Sequence, residues 1–174
     1  MAENRYSKKI NFYKPDKRFI IPIHNFHIPR KLLNEYKKQK YNFLINNNFD
    51  QVIQNCCKAK RKDQGTWINE IIIETYKQLN YEGYAHSIEC YKNENLIGGL
   101  YGLKIGSCFF GESMFSLVSN ASKLCLLYLI TILIKNNFIL LDSQFYNSHL
   151  LQFGAYEVND DDYQNILKEG LNKK

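Results

Sequence analysis

Eleven residues in succession, Leu124 to Ile134, include only one without apolar or aromatic character, Thr131, and they stand between Lys123 and Lys135. Such a run is apolar on every side, so whatever element it forms must be covered all round. It is too short for the roughly 20 residues that cross a bilayer, so the cover has to be protein. Ala121–Lys135 reads as a buried helix, although its Ile, Leu and Tyr content also suits a strand. Asn136-Asn137 ends it, and Phe138 to Leu141 form a short apolar strand ending in Asp142. A chain of 174 residues can bury one such element in a single well-cored domain with at most a small appendage. With 45% hydrophobic and 14% aromatic residues, disordered and collagen-like chains are excluded.

Around this element the pattern is mixed. Residues 1–26 alternate aromatics, basic residues and Pro15 and Pro22, which predicts extended segments and turns. Helices are predicted from Arg30 to Lys38, from Phe49 to Cys57 and from Ile68 to Leu79, with a strand over Asn42–Ile45 and a basic loop over residues 58–66. Ala85–Tyr91, Leu96–Leu103 and Ser107–Phe110 read as a meander of antiparallel strands, the first two joined at Asn93-Glu94-Asn95. Ser148–Phe153 reads as a helix stopped by Gly154, and residues 157–170 as an acidic, polar tail. The order is that of an α+β fold, and it resembles the GNAT class of acyltransferases, one option among several of this type.

Charge divides the chain. Residues 1–62 carry a net +11 and residues 63–174 a net −5. We therefore expect a small basic N-terminal lobe (1–62) facing a polyanion and a second domain (63–174) with a different task, which the GNAT resemblance makes the catalytic one. The basic residues cluster at Lys14, Lys17 and Arg18, at Arg30, Lys31, Lys37, Lys38 and Lys40, and at Lys58, Lys60, Arg61 and Lys62. Clustered cations release counter-ions from a nucleic acid, although a solvated basic surface has the same composition. Five cysteines, an odd number with no C-x-x-C, suit a reduced cytoplasmic compartment. No secretory signal or membrane segment is expected.

Several residues could carry chemistry. Asp142 ends an apolar strand, where catalytic groups are displayed and where helix caps also occur. Glu112 is a carboxylate in apolar company, either a site residue or half of an internal ion pair. Gly98-Gly99 within a strand requires close approach of a backbone or a ligand, or a bulge. Trp67, beside the basic loop, could stack a terminal base or belong to the core. His24, His27, His86 and His149 have no metal-ligand spacing, so no metal is expected.

Four stretches together resemble the leucyl/phenylalanyl-tRNA–protein transferases. They are Gly65-Thr66-Trp67-Ile68; Ala85-His86-Ser87-Ile88-Glu89; Gly98-Gly99-Leu100-Tyr101-Gly102 continuing to Phe110-Gly111-Glu112-Ser113-Met114-Phe115-Ser116; and Asn120-Ala121-Ser122-Lys123 followed by Leu141-Asp142-Ser143-Gln144. His149 and Phe153-Gly154-Ala155 fit the same pattern. The resemblance implies a GNAT-like fold without acetyl-CoA or any other cofactor, with aminoacyl-tRNA as co-substrate. Its activity would be transfer of Leu or Phe to the N-terminal α-amine of a protein beginning with Arg or Lys, marking that protein for degradation as an N-degron. The resemblance assigns Asp142 and Gln144 to the reacting centre, with Asn147 in support. It assigns Leu100, Phe109, Leu126, Leu129 and Leu133 to the side-chain pocket, with Glu112 and Ser116 at its polar edge. Trp67 would contact the terminal adenosine, and Arg30, Lys37 and Lys38 the tRNA; Lys58, Lys60, Arg61 and Lys62 could add to them.

The departures from the family pattern are specific. The sequence begins after the family's usual N-terminal stretch and its F-P-W segment, so Tyr6, Phe12 or Tyr13 would have to partner Trp67. Leu33 and Asn34 stand where bacterial relatives carry basic residues. Glu112 could instead pair with a guanidinium, which would suit Arg transfer from Arg-tRNA to acidic N-termini. A GNAT enzyme using an acyl-CoA would need a pyrophosphate-binding Gly-rich turn, which we do not find. A non-catalytic tRNA-binding module is the remaining alternative, and the D-x-Q sequence argues against it. Partners are then aminoacyl-tRNA and the N-terminal segments of proteins, with neither DNA nor a membrane.

Overall fold

The computed structural model describes residues 1–4, 6–59 and 66–173. In chain order the elements are β1 (Lys17–Ile20), α1 (Arg30–Lys37), β2 (Asn42–Ile45), α2 (Phe49–Lys58), α3 (Glu70–Tyr81), β3 (Ala85–Lys92), β4 (Asn95–Ile105), β5 (Cys108–Ser116), α4 (Ala121–Lys135), β6 (Leu140–Asp142), β7 (Tyr156–Asn159) and α5 (Asp160–Asn172). The strands form one mixed sheet in the order β2-β3-β4-β5-β6-β1-β7. Only the β5–β6 pair is parallel. The fold is mixed α+β. Residues 1–62 and 63–174 share this sheet, because β1 lies between β6 and β7 and β2 pairs with β3.

Alternation along the strands sorts the core into two faces. Ile88, Leu100, Phe109 and Leu141 point toward α4 and α1 and pack with Leu124, Leu126, Leu129, Leu133 and Leu32. Their strand neighbours point the other way. Ala85, Tyr101 and Phe115 pack against α2 and α3 through Val52, Ile53, Cys56, Ile72 and Ile73. Cys108, Leu140 and Ile20 pack against Tyr163 of α5, with Ile166 and Leu167 beside them. The apolar run Leu124–Ile134 falls in helix α4, which packs on the sheet and α1 and leaves Thr131 and Ile134 exposed. Each Leu or Ile so buried stabilises the fold by about 1.5–3 kcal/mol before entropy is counted.

The expected close approach at Gly98-Gly99 is made by protein on both faces. A Cβ at Gly98 would meet the Cβ of Ala121 and, at 2.9 Å, its carbonyl carbon. The N-terminus of α4 thus sits directly on β4. A Cβ at Gly99, on the opposite face, would lie 2.8 Å from the ring of Phe115 and 3.3 Å from Val52. Glu89 has no exposed surface and accepts from the Asn48 N–H (2.8 Å), the Ser87 hydroxyl (2.8 Å) and the Tyr91 hydroxyl (2.9 Å). This carboxylate ties the start of α2 to β3. Buried charge is tolerated where its oxygens are satisfied in this way.

The C-terminal region departs from expectation. Residues 157–170 are no tail but the end of β7 and most of α5. Asn159 caps this helix by accepting from the Asp162 N–H at 2.9 Å. Asp160, Asp161 and Asp162 occupy its first turn, where negative charge favours the helix dipole. The acidic cluster read as polar tail is therefore a helix start. Ser148–Phe153 forms a tighter 3-10 helix rather than an α-helix, and β5 runs on through Gly111 to Ser116.

Candidate active site

The parallel pairing of β5 with β6 runs Cys108↔Leu140, Phe109↔Leu141, Phe110↔Asp142 and stops there. Beyond Asp142 the chain turns to β1 instead. The Ser143 N–H donates to the Phe19 carbonyl at 2.9 Å, and the Phe19 N–H to the Gln144 carbonyl at 3.1 Å. The Ser143 hydroxyl also donates to the Phe19 carbonyl, at 2.7 Å. Meanwhile β5 continues with β4. The two strands fork, and a cavity of about 650 Å³ opens on the face of α3. Its lining includes Glu112 from β5, Gln144 and Asn147 from the segment after β6, Arg18 from β1, and Trp67 and Tyr76 from the α3 side.

Asp142 lies beneath this cavity rather than on its wall, with no exposed surface. Its Oδ2 accepts from Arg18 through Nε at 3.1 Å and through Nη2, and from the Tyr163 hydroxyl at 2.8 Å. Its Oδ1 accepts from the Gln144 N–H at 2.8 Å. The guanidinium of Arg18 also lies 4.8 Å from the centre of the Tyr163 ring, within cation–π range. Burial, and then the neighbouring carboxylate, push the Tyr163 hydroxyl pKa well up, so it remains a donor. Burial foremost, with the Asp142 charge, raises the Cys108 thiol to about 11.

Gln144 has a left-handed backbone, φ 63°, which is uncommon outside glycine. The Asp142 carboxylate and the Phe19 N–H hold it from both sides. Asn147 accepts from the His149 N–H at 3.0 Å, closing the turn into the 3-10 helix.

Burial raises the Glu112 carboxyl above its ordinary 4.5; a hydrogen bond from Tyr76 opposes this, and the Asp142 charge adds to it. A carboxyl whose pKa is raised by folding contributes stability that is present below its ordinary value and lost as pH rises through the raised one. Glu112→Gln removes that loss. The Gln variant is expected to gain in thermal stability relative to the native chain as pH rises above the ordinary carboxyl value; parallel melting curves from acid to neutral pH check it.

The other residues predicted from sequence fall in several places. Trp67 borders the cavity. Leu100, Phe109, Leu126, Leu129 and Leu133 are 1–3% exposed on the α4 face, across the sheet from α3. Phe109, Leu129 and Leu133 also border a second cavity of about 640 Å³. The sheet thus divides this set from Glu112. Ser116 caps α4, accepting from the Ser122 N–H at 2.9 Å and donating to its hydroxyl. Arg30, Lys37 and Lys38 are exposed on α1 and Lys58 at the end of α2; α1 lies on the α4 face and α2 on the α3 face. Lys60, Arg61 and Lys62 lie outside the described residues, as does Gly65.

Arg18 and Tyr163 were not singled out as site residues. Arg18 stood in a basic cluster and Tyr163 in the supposed tail, and only the sheet brings them to Asp142. Among the described residues no group of three or more His, Cys, Asp or Glu could hold a metal ion. No helix among them is long and apolar enough to cross a membrane.

Comparison with known proteins identifies what this arrangement is similar to. Residues 20–168 match the family described as leucyl/phenylalanyl-tRNA protein transferase. The leucyl/phenylalanyl-tRNA–protein transferase of Maricaulis maris (strain MCS10) is 44% identical over 98% of this chain and 79% of its own length. The protein of the same name from Hyphomonas neptunium is 40% identical over 98% of this chain and 66% of its own length. The Caulobacter vibrioides protein of that name is 40% identical, with 98% and 79% covered. Among solved structures, L-PGS from Bacillus licheniformis shares the fold with a TM-score of 0.54 at 9% identity, over 91% of this chain and 68% of that one.

Proposed function

The chain belongs to the leucyl/phenylalanyl-tRNA protein transferase family, and from that membership we propose that it moves Leu or Phe from charged tRNA to the N-terminal α-amine of proteins beginning with Arg or Lys. The observation that carries this reading is the fork between β5 and β6, which presents Gln144 and Asn147 to one cavity with Glu112 and Trp67. We take the fork to be the GNAT-like feature of the fold, used here without an acyl-CoA.

In the reaction the acceptor amine attacks the ester carbonyl carbon of the aminoacyl-tRNA. The new C–N bond forms, the bond to the ribose oxygen breaks, and the amine's proton ends on the departing hydroxyl. The α-amine has an ordinary pKa of about 7.7–8.0, so a useful fraction is already neutral near pH 7.5. Holding two substrates in attack geometry is then the main task, and it is a large one. Gln144 and Asn147 offer amide groups to the reacting atoms, and Trp67 stacks the terminal adenosine.

The leucyl or phenylalanyl side chain is assigned to Leu100, Phe109, Leu126, Leu129 and Leu133 on the α4 face, with Ser116 at the start of α4 and Glu112 across the sheet in the first cavity. These five are 1–3% exposed, so admitting a side chain requires their packing to yield. The cavity of about 640 Å³ beside Phe109, Leu129 and Leu133 supplies room for that. The basic residues of α1 (Arg30, Lys37 and Lys38), together with Lys58, Lys60, Arg61 and Lys62, engage the tRNA body beyond its 3′ end. The net +11 of residues 1–62 makes that binding salt-dependent. The compartment is that of charged tRNA, the cytoplasm, and the product is a protein tagged for degradation as an N-degron.

The test offers radiolabelled Leu, Phe and Arg, each on its own tRNA, to peptides beginning with Arg, Lys, Asp or Glu. Label from Leu- or Phe-tRNA on the Arg and Lys peptides is the expected result. Label from Arg-tRNA on the acidic peptides would instead assign Glu112 to a guanidinium and replace this reading. Absence of transfer with tRNA still bound would leave a binding module.

A further inference from the structure

Asp142 is held from behind by two residues that come from the two ends of the chain. Arg18, two residues before Ile20 on β1, lies on the same strand face as Ile20, which pairs with Asp142. Tyr163 reaches the same point from α5. Both donate to Oδ2, and Arg18 Nη2 also donates to the Tyr163 hydroxyl at 3.3 Å. Oδ2 thereby has three donors. Oδ1 is left for a single partner, the Gln144 N–H.

We propose that Arg18 and Tyr163 are positioning residues for the transfer reaction: they fix the Asp142 carboxylate so that it holds the Gln144 peptide left-handed and aims the Gln144 side chain into the cavity. Asp142 in this arrangement does not take the proton of the acceptor amine. Its carboxylate is fully buried and absent from the cavity wall. The left-handed turn needs the support. Gln144 carries a Cβ in a region that glycine occupies freely, and besides the Phe19 N–H on its carbonyl its main restraint is Asp142: the N–H bond to Oδ1 and a long 3.5 Å contact from its own side chain to the Asp142 carbonyl. A carboxylate free to rotate would release it, and small displacements of a reacting group are known to cost up to about 100-fold in rate.

The inference rests on the transferase reading, and one experiment separates the two. The native chain, Tyr163→Phe, Arg18→Lys and Arg18→Gln are assayed for transfer, with kcat, KM for each substrate and thermal midpoint measured on every protein. Tyr163→Phe removes one hydroxyl and keeps the ring over Arg18, so it stays folded. It is expected to lower kcat by about tenfold while both KM values change less than about twofold, the signature of an interaction that matters in the transition state. Arg18→Lys retains the charge and is expected to fall less than Arg18→Gln. Full kcat in Tyr163→Phe and Arg18→Lys would overturn the inference. So would losses that vanish on assay well below each variant's melting point, which would mark a purely structural role. An inactive native chain would instead overturn the transferase reading, and the positioning role with it.

Discussion

Asp142→Ala is expected to abolish measurable transfer and, separately, to destabilise the protein by about 3 kcal/mol or more. The two losses have different origins. Transfer fails because the Gln144 N–H loses its acceptor and the left-handed turn at the fork relaxes, an effect expected to reach at least about 100-fold. Stability falls because Arg18 and the Tyr163 hydroxyl are left in a site that the carboxylate had filled without any solvent access. Breaking one side of a buried pair strands the other charge, and this costs more than the pair was worth. Urea denaturation of Asp142→Ala measures the second effect. The double variant with Arg18→Met is expected to recover part of it, since the stranded cation is gone. An Asp142→Ala protein as stable as the native chain would mean that Arg18 finds water readily and that the network is weak.

Gly98→Val is expected to be the most damaging change away from the site. Its Cβ would fall within 2.9 Å of the Ala121 carbonyl carbon and 3.1 Å of the Ser122 nitrogen. These are backbone atoms at the first turn of α4 and cannot rotate aside. Either α4 moves off the sheet or β4 bends, and both disturb Leu124, Leu126 and Leu129, which fill the larger core cluster. Overpacking typically costs about 1–3 kcal/mol; against backbone, a loss of about 3 kcal/mol or more is expected, or roughly 6–12 °C in the melting midpoint for a chain this size. Gly83 is the control. It has φ +82° and nothing within 4 Å of a Cβ, so Gly83→Ala meets only the cost of a left-handed alanine, about 1–2 kcal/mol. A loss at Gly98 no larger than that at Gly83 would show that the seat of α4 yields to a side chain at little cost.

Much of the architecture was legible because its signals are local. The run Leu124–Ile134 had to find cover whatever its partners were, and most of it does, while Thr131 and Ile134 stay exposed. β3 announced itself by alternation, β4 and the first part of β5 followed from it by short turns, and the G-E-S-M-F-S and D-x-Q stretches pointed to the correct family. Less local features were read wrongly. The helix α5 has one apolar edge, formed by Tyr163, Ile166 and Leu167, within a segment rich in charge. Its three leading aspartates looked like the end of structure, although carboxylates favour a helix start.

The division between what sequence and tertiary structure decide follows from distance. The sequence by itself determined the apolar element, the meander and the family, because each rests on short runs of adjacent residues, the family on several of them in order along the chain. Only the tertiary structure decided which partners Asp142 has. Its partner Arg18 is 124 positions away and Tyr163 is 21, and neither spacing carries a period or a motif. The sheet order places β1 beside β6, and β-strand alternation turns Arg18, Ile20, Leu140 and Asp142 to the face that α5 covers. Hydrogen bonds reach about 3 Å, so a carboxylate acquires its partners only after the chain has closed around it.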